Sequence, residues 1–141
     1  MRGQVGLFDF SFMAHFVVRG PGALPFVQRL VTNDAGRLPP SAALYSPICS
    51  EAGTFVDDCT VIRRGRDEYL ISTGLGDTYA WLARLSQGSN VSLEDRSADL
   101  SILAVQGPAS PRVLRAAGLP DEAPDLRGRS GGHEQFVAEL A

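Results

Sequence analysis

Apolar and polar positions alternate, group and break along this chain in a way that sets out most of its elements before any residue is given a role. Residues 15 to 20, "HFVVRG", form an apolar run closed by Gly20-Pro21, which predicts a strand ending in a turn. In "GALPFVQRLVTND", Leu24, Val27, Leu30 and Val31 recur at helical spacing with Pro25 in the first turn, so residues 22 to 34 read as a helix stopped by Asn33, Asp34 and Gly36. "ALYSPICS" and "GTFVDDCTVIR" have the alternation and β-branched content of strands, joined by the short loop "EAG" with glycine last. "YLIST" follows as a strand. "DTYAWLARLSQG" is a helix capped by Asp77 and ended by Gly88. "VSLED" and "LSILAVQG" are two more strands, and Gly107-Pro108 opens a last helix through "SPRVLRAAG". The order β-α-β-β-β-α-β-β-α predicts an α+β fold, a mixed sheet with helices on one side.

Two longer-range features follow from the same pattern. "VRGPGALPFVQRL" from Val18 and "VQGPASPRVLRAA" from Val105 share a strand end, a Gly-Pro turn and an apolar helix. This fits either a duplicated unit or two uses of a generic strand-to-helix turn. The hairpin, for its part, makes a register prediction. Pairing Ser50 with Thr54 sets Tyr45 opposite Cys59 and Asp57 opposite Pro47, which makes Tyr45 and Asp57 diagonal neighbours on one face, roughly 7 to 8 Å apart, with Asp58 pointing the other way.

Composition narrows the possible partners. The 141 residues are 44% apolar and 21% charged, as in an ordinary single globular domain. All 13 basic residues are arginine, they are scattered, and the net charge is −3, so no basic stripe offers itself to nucleic acid. No apolar run nears the roughly 20 residues of a membrane span. The apolar opening is interrupted by Asp9 and His15 without a small-residue cleavage site, and a cytoplasmic location is expected. Cys49 and Cys59 suit buried free thiols better than a disulfide framework, and neither His15 nor His133 lies in a metal-ligand pattern. From about Pro120 the chain is rich in Pro, Gly and charge. A folded part over residues 1 to 118 and a loosely ordered tail over 119 to 141 are therefore expected.

Adjacent carboxylates inside a strand are the chemical anomaly, because strands are depleted in aspartate and Asp57-Asp58 needs a solvated edge or a task. Together, "GLFDFSFM", "VRGPGALPFVQRLVTND", "ALYSPICSEAGTFVDD", "YLIST" and "EDRSADLSILAVQGP" resemble, in order and spacing, the tetrahydrofolate-binding domain of the glycine cleavage system T-protein family of aminomethyltransferases. The resemblance covers residues 2 to about 118. It implies a reduced folate as cofactor, with Asp57 as the catalytic carboxylate that hydrogen-bonds the folate nitrogens and favours N5 as acceptor of a one-carbon unit. It also implies Met13 and Tyr45, beside Asp57, as cofactor-binding walls. Asp9, Asn33, Asp34 and Arg96 match family positions too, and read as caps and turn-stabilising groups.

The family pattern is not reproduced throughout. Phe12 stands where the family's Ser-His-Met has histidine, and "STGLGD" differs from the glycine cleavage version, leaving the one-carbon donor open. The family's later Gly-Tyr-Thr-Gly-Glu motif does not occur here, so the resemblance is to its N-terminal portion, and a truncated form is expected. The implied function is a tetrahydrofolate-dependent aminomethyl or methyl transferase. The alternative is a non-catalytic fragment, or a folate-binding or interaction module that self-associates or recruits a partner chain through exposed strand edges.

Overall fold

The computed structural model describes residues 4–74, 77–118 and 135–139. Its strands are β1 (Gly6–Asp9), β2 (Ala14–Arg19), β3 (Ala43–Cys49), β4 (Phe55–Arg63), β5 (Glu68–Thr73), β6 (Ser92–Asp95), β7 (Ile102–Gln106) and β8 (Gln135–Glu139). Its helices are α1 (Ala23–Leu30), α2 (Thr78–Ser86) and α3 (Ser110–Ala116), with a 3-10 turn at Ala35–Arg37. The α+β class is as expected, but the strands divide between two sheets. One has the order β3-β4-β5-β2-β6 and the other β1-β7-β8, and every strand pairing among the described residues is antiparallel.

Several local expectations meet corrections. The first helix ends at Leu30, and Asp34 instead caps the 3-10 turn by accepting the Gly36 N–H. Asp77 occupies the N-cap position of α2 without making a side-chain cap hydrogen bond. The short strand β1 escaped the pattern. Separately from these corrections, Gln135–Glu139 pairs with β7, and the rest of the segment expected to be a loosely ordered tail, residues 119–134 and 140–141, lies outside the described residues.

One face of the five-stranded sheet carries α1 and α2. Phe26, Val27 and Leu30 from α1 and Leu82 and Leu85 from α2 close over Phe16, Val18, Ile48, Cys59, Val61, Tyr69 and Ile71. This is the periodicity argument realised: helical spacing on one side meets alternate residues of β2, β4 and β5 on the other.

The two Gly-Pro segments have matching geometry. Gly20 and Gly107 have φ of 126° and 124°, and their carbonyls accept the N–H groups of Ala23 and Ser110 at 2.9 and 3.0 Å. Each glycine lies against a neighbouring backbone: a Cβ would come within 2.8 Å of the Asn90 carbonyl oxygen at Gly20 and 2.2 Å of that of Gln4 at Gly107. The likeness extends upstream, where Asp9 accepts the Ser11 N–H at 2.8 Å and Asp95 that of Ser97 at 2.9 Å. The short strands are exchanged: β1 precedes β2 but pairs with β7, whereas β6 precedes β7 but pairs with β2. Phe10 N–H accordingly reaches Ile102 O, and Arg96 N–H reaches His15 O, both at 2.8 Å. Of the two explanations for the sequence echo, this correspondence favours a duplicated, strand-exchanged unit.

Candidate functional site

The β3-β4 hairpin decides where the acidic pair points. Its loop begins in the expected register, with the Ser50 N–H donating to Thr54 O at 2.8 Å and Cys49 opposite Phe55. Ile48, however, pairs with Asp57, so Val56 is an extra residue, a β-bulge. Beyond it Tyr45 faces Thr60, and Pro47 faces Asp58. The expected pairing of Tyr45 with Cys59 and of Asp57 with Pro47 is therefore wrong by one residue. Because side chains alternate, that slip moves Asp57 to the face opposite Tyr45.

Asp57 points inward with Cys59 and Val61, toward the helices, and is buried. Its carboxylate accepts the Asp58 N–H at 2.8 Å and the Thr78 hydroxyl at 2.5 Å, the latter from the first residue of α2. Cys59, beside it, has its thiol pushed up to about 12 by burial and by the charges of Asp57 and Asp58. It donates to Ser46 O at 3.4 Å and is an inert core thiol. Cys49, expected to be equally buried, is partly exposed.

Asp58 points to the other face, where it accepts a hydrogen bond from the Tyr45 hydroxyl. Tyr45 is 56% exposed, and the hydrogen bond to Asp58 holds its phenol above the ordinary tyrosine range, with smaller contributions from burial and neighbouring charges. The strand beneath is firmly tied. Asn33 donates through Nδ2 to Tyr45 O at 2.8 Å, and Ser46 Oγ accepts the N–H groups of Thr32 and Asn33 at 3.1 and 3.2 Å. Met13 directly precedes β2. Since Ala14 pairs with Thr73 and Thr73 with Cys59, Met13, Gly74 and Asp58 follow one step along at the same end of the sheet. Met13 is half-buried there.

Of the three residues nominated from the sequence, Tyr45 thus bonds Asp58 through its hydroxyl, Met13 lies at the same end of the sheet as Asp58, and Asp57 lies on the other face. Asp58 is visible in the sequence as half of the pair, and the bulge turns it to the face of Tyr45 instead of away from it. Thr78 had no signal beyond its place after a helix-start aspartate. Asp9, Asn33, Asp34 and Arg96 stabilise turns and backbone as expected, Arg96 through Asp99 at 2.8 Å and Glu94 at 3.4 Å.

Residues 1–124 match the family model described as the GCVT N-terminal domain. The chain belongs to that family. An aminomethyltransferase of Geobacillus thermodenitrificans is 43% identical over 118 residues, covering 82% of this chain and 32% of that protein. One from Thermus thermophilus is 41% identical over 124 residues, covering 86% and 35%. The crystal structure of glycine cleavage system aminomethyltransferase T from Bartonella henselae superposes with a TM-score of 0.82 at 28% identity, over 99% of this chain and 42% of that one. Heterotetrameric sarcosine oxidase from Corynebacterium sp. U-96 shares the fold, with a TM-score of 0.60 at 20% identity. The chain spans about a third of the length of the curated relatives it matches. Among the described residues of this GCVT domain no cluster of His, Cys, Asp or Glu could hold a metal ion, and no helix is long and apolar enough to cross a membrane.

Proposed function

We propose that this GCVT domain forms one wall of a tetrahydrofolate site in an aminomethyl or methyl transferase, with Asp58 in the carboxylate role that the resemblance implies for Asp57. The observation that carries this is the hydrogen-bonded Tyr45-Asp58 pair on the sheet face away from α1 and α2, with Tyr45 exposed, in a chain whose relatives are aminomethyltransferases. The donor set suits a flat ligand rich in N–H groups: Asp58 accepts hydrogen bonds, and the Tyr45 ring and Met13 thioether offer apolar surface to ring faces. Tetrahydrofolate supplies the nitrogen that takes up the one-carbon unit. Asp58 orients the ligand by accepting from a nitrogen that it touches, and can take a proton there. Tyr45 holds that carboxylate in place through its hydroxyl.

Isothermal titration of the full chain with tetrahydrofolate tests this. Asp58→Asn and Tyr45→Phe should each weaken binding about tenfold, as expected for losing a hydrogen bond to a charged group. Binding unaffected by either substitution would overturn the assignment. A second reading, a folate-binding or interaction module without transfer chemistry, draws on the exposure of Leu7, Phe12 and Phe55 at 66%, 76% and 68%. Size-exclusion chromatography separates it: concentration-dependent association that leaves Tyr45 accessible, with no turnover of any one-carbon donor, would favour the module.

A further inference from the structure

We infer that Asp57 and Thr78 are positioning residues that fix the direction of Asp58, an inference that rests on Asp58 being the ligand-facing carboxylate. Asp58 stands two residues past the bulged Val56, where the ladder is interrupted and a strand bends most easily. Something must hold the backbone at that point, and the hydrogen bonds show what does. One carboxylate oxygen of Asp57 receives the Asp58 N–H, fixing the peptide from which the Asp58 side chain departs. The other receives the Thr78 hydroxyl, tying the same carboxylate to the first turn of α2.

Three further features fit this arrangement. Thr78 and Asp57 are both 4% exposed, so water does not compete for the bond. The N-terminal turn of α2 favours a nearby negative charge, and Asp77 at the cap position makes no side-chain cap bond of its own. Gly74, at the end of β5, lies against both carboxylates: a Cβ there would sit 3.4 Å from an oxygen of Asp57 and 3.8 Å from one of Asp58. The helix start, the buried carboxylate and the outward carboxylate thus form one connected line through the sheet. Asp57 serves the site from behind, through the backbone, rather than by touching a ligand.

The test uses Thr78→Val, which keeps the shape and removes the hydroxyl, and Thr78→Ser, which restores it. Two quantities are read in the full chain: tetrahydrofolate affinity, and the titration of Tyr45 followed by carbon NMR of labelled tyrosine, assigned with Tyr45→Phe. Tyr45 titrates above the ordinary range because Asp58 holds its proton, so a displaced Asp58 must let that midpoint fall toward an ordinary tyrosine. Thr78→Val should lower the Tyr45 midpoint and weaken folate binding about tenfold, and Thr78→Ser should return both to wild type. A Thr78→Val protein that is less stable yet keeps the wild-type Tyr45 midpoint would overturn the inference. If Thr78→Val does not fold, Asp57→Asn carries the same comparison. Should wild type bind no folate, the ligand assignment fails while the tyrosine titration still decides whether Asp57 and Thr78 position Asp58.

Discussion

The two adjacent aspartates should differ sharply in what they contribute to stability, because one is buried at a helix start and the other faces outward. Truncating Asp57 to alanine removes at least the two hydrogen bonds its carboxylate accepts among the described residues, each worth about 1.5–3 kcal/mol, and strands the Thr78 hydroxyl and Asp58 N–H. Relief of the cost of burying the carboxylate offsets part of this, leaving a net loss of about 3–5 kcal/mol, the range for breaking a buried polar partnership. Against the ~5–15 kcal/mol of a typical domain that loss is large. Asp58→Ala breaks a contact with a tyrosine that is 56% exposed, where water replaces the lost partner, and should cost at most about 1 kcal/mol. Urea unfolding followed by fluorescence of Trp81, the single tryptophan, measures both under one slope. Equal losses for the two alanine variants, or a larger one for Asp58→Ala, would refute the assignment of Asp57 to the inner face and with it the bulged register.

The remaining predictions draw on other parts of the fold. Leu82→Ala, at a fully buried position of α2, should cost about 2–5 kcal/mol in the same urea assay. Gly20→Ala and Gly107→Ala should each lose about 1–3 kcal/mol, since both meet a backbone carbonyl at positive φ, and similar losses would support their structural equivalence. His15 is buried with Nδ1 on Ser72 Oγ at 3.1 Å and Nε2 without a partner among the described residues; burial lowers its pKa below 6.5, against a weaker opposing pull from Asp95. The unfolded chain therefore takes up a proton that the folded one refuses. Stability should be full above about pH 6.5 and fall as pH drops from there through the folded value; His15→Gln should flatten that segment of a pH-stability curve. In native protein at pH 8, iodoacetamide should alkylate Cys49 well before Cys59, whose thiol is held near 12.

Helices and central strands were legible because burial imposes its period on the sequence. Leu24, Val27 and Leu30 announce α1, and the inward residues of β2, β4 and β5 announce the core. What escaped is what depends on distant pairing. The strand β1 is four residues with little apolar alternation, and β7 rather than its own neighbour holds it in place. The strand β8 lies in a polar, Gly-rich segment and is specified by the open side of β7. Two sheets in place of one follow from the exchange of β1 and β6, a choice between equivalent partners that local sequence does not express.

The direction of the acidic pair is the least legible of these features, for a physical reason. Counting register from the turn assumes an unbroken ladder, and one extra residue between the turn and the pair inverts every face beyond it. Counting from the opposite end of β4 avoids the bulge. Cys59 and Val61 alternate with Asp57, and both suit a dry interior better than Thr60 does. Parity with those two places Asp57 inside and leaves Asp58 on the face of Tyr45. A carboxylate forced inward by parity then needs its own donors, and the first turn of the following helix is where a sheet with helices on one side supplies them. Thr78 is the residue that answers that need. The acidic pair in the middle of a strand is thus two different solutions, one carboxylate fastening strand to helix and its neighbour meeting the Tyr45 hydroxyl on the other face.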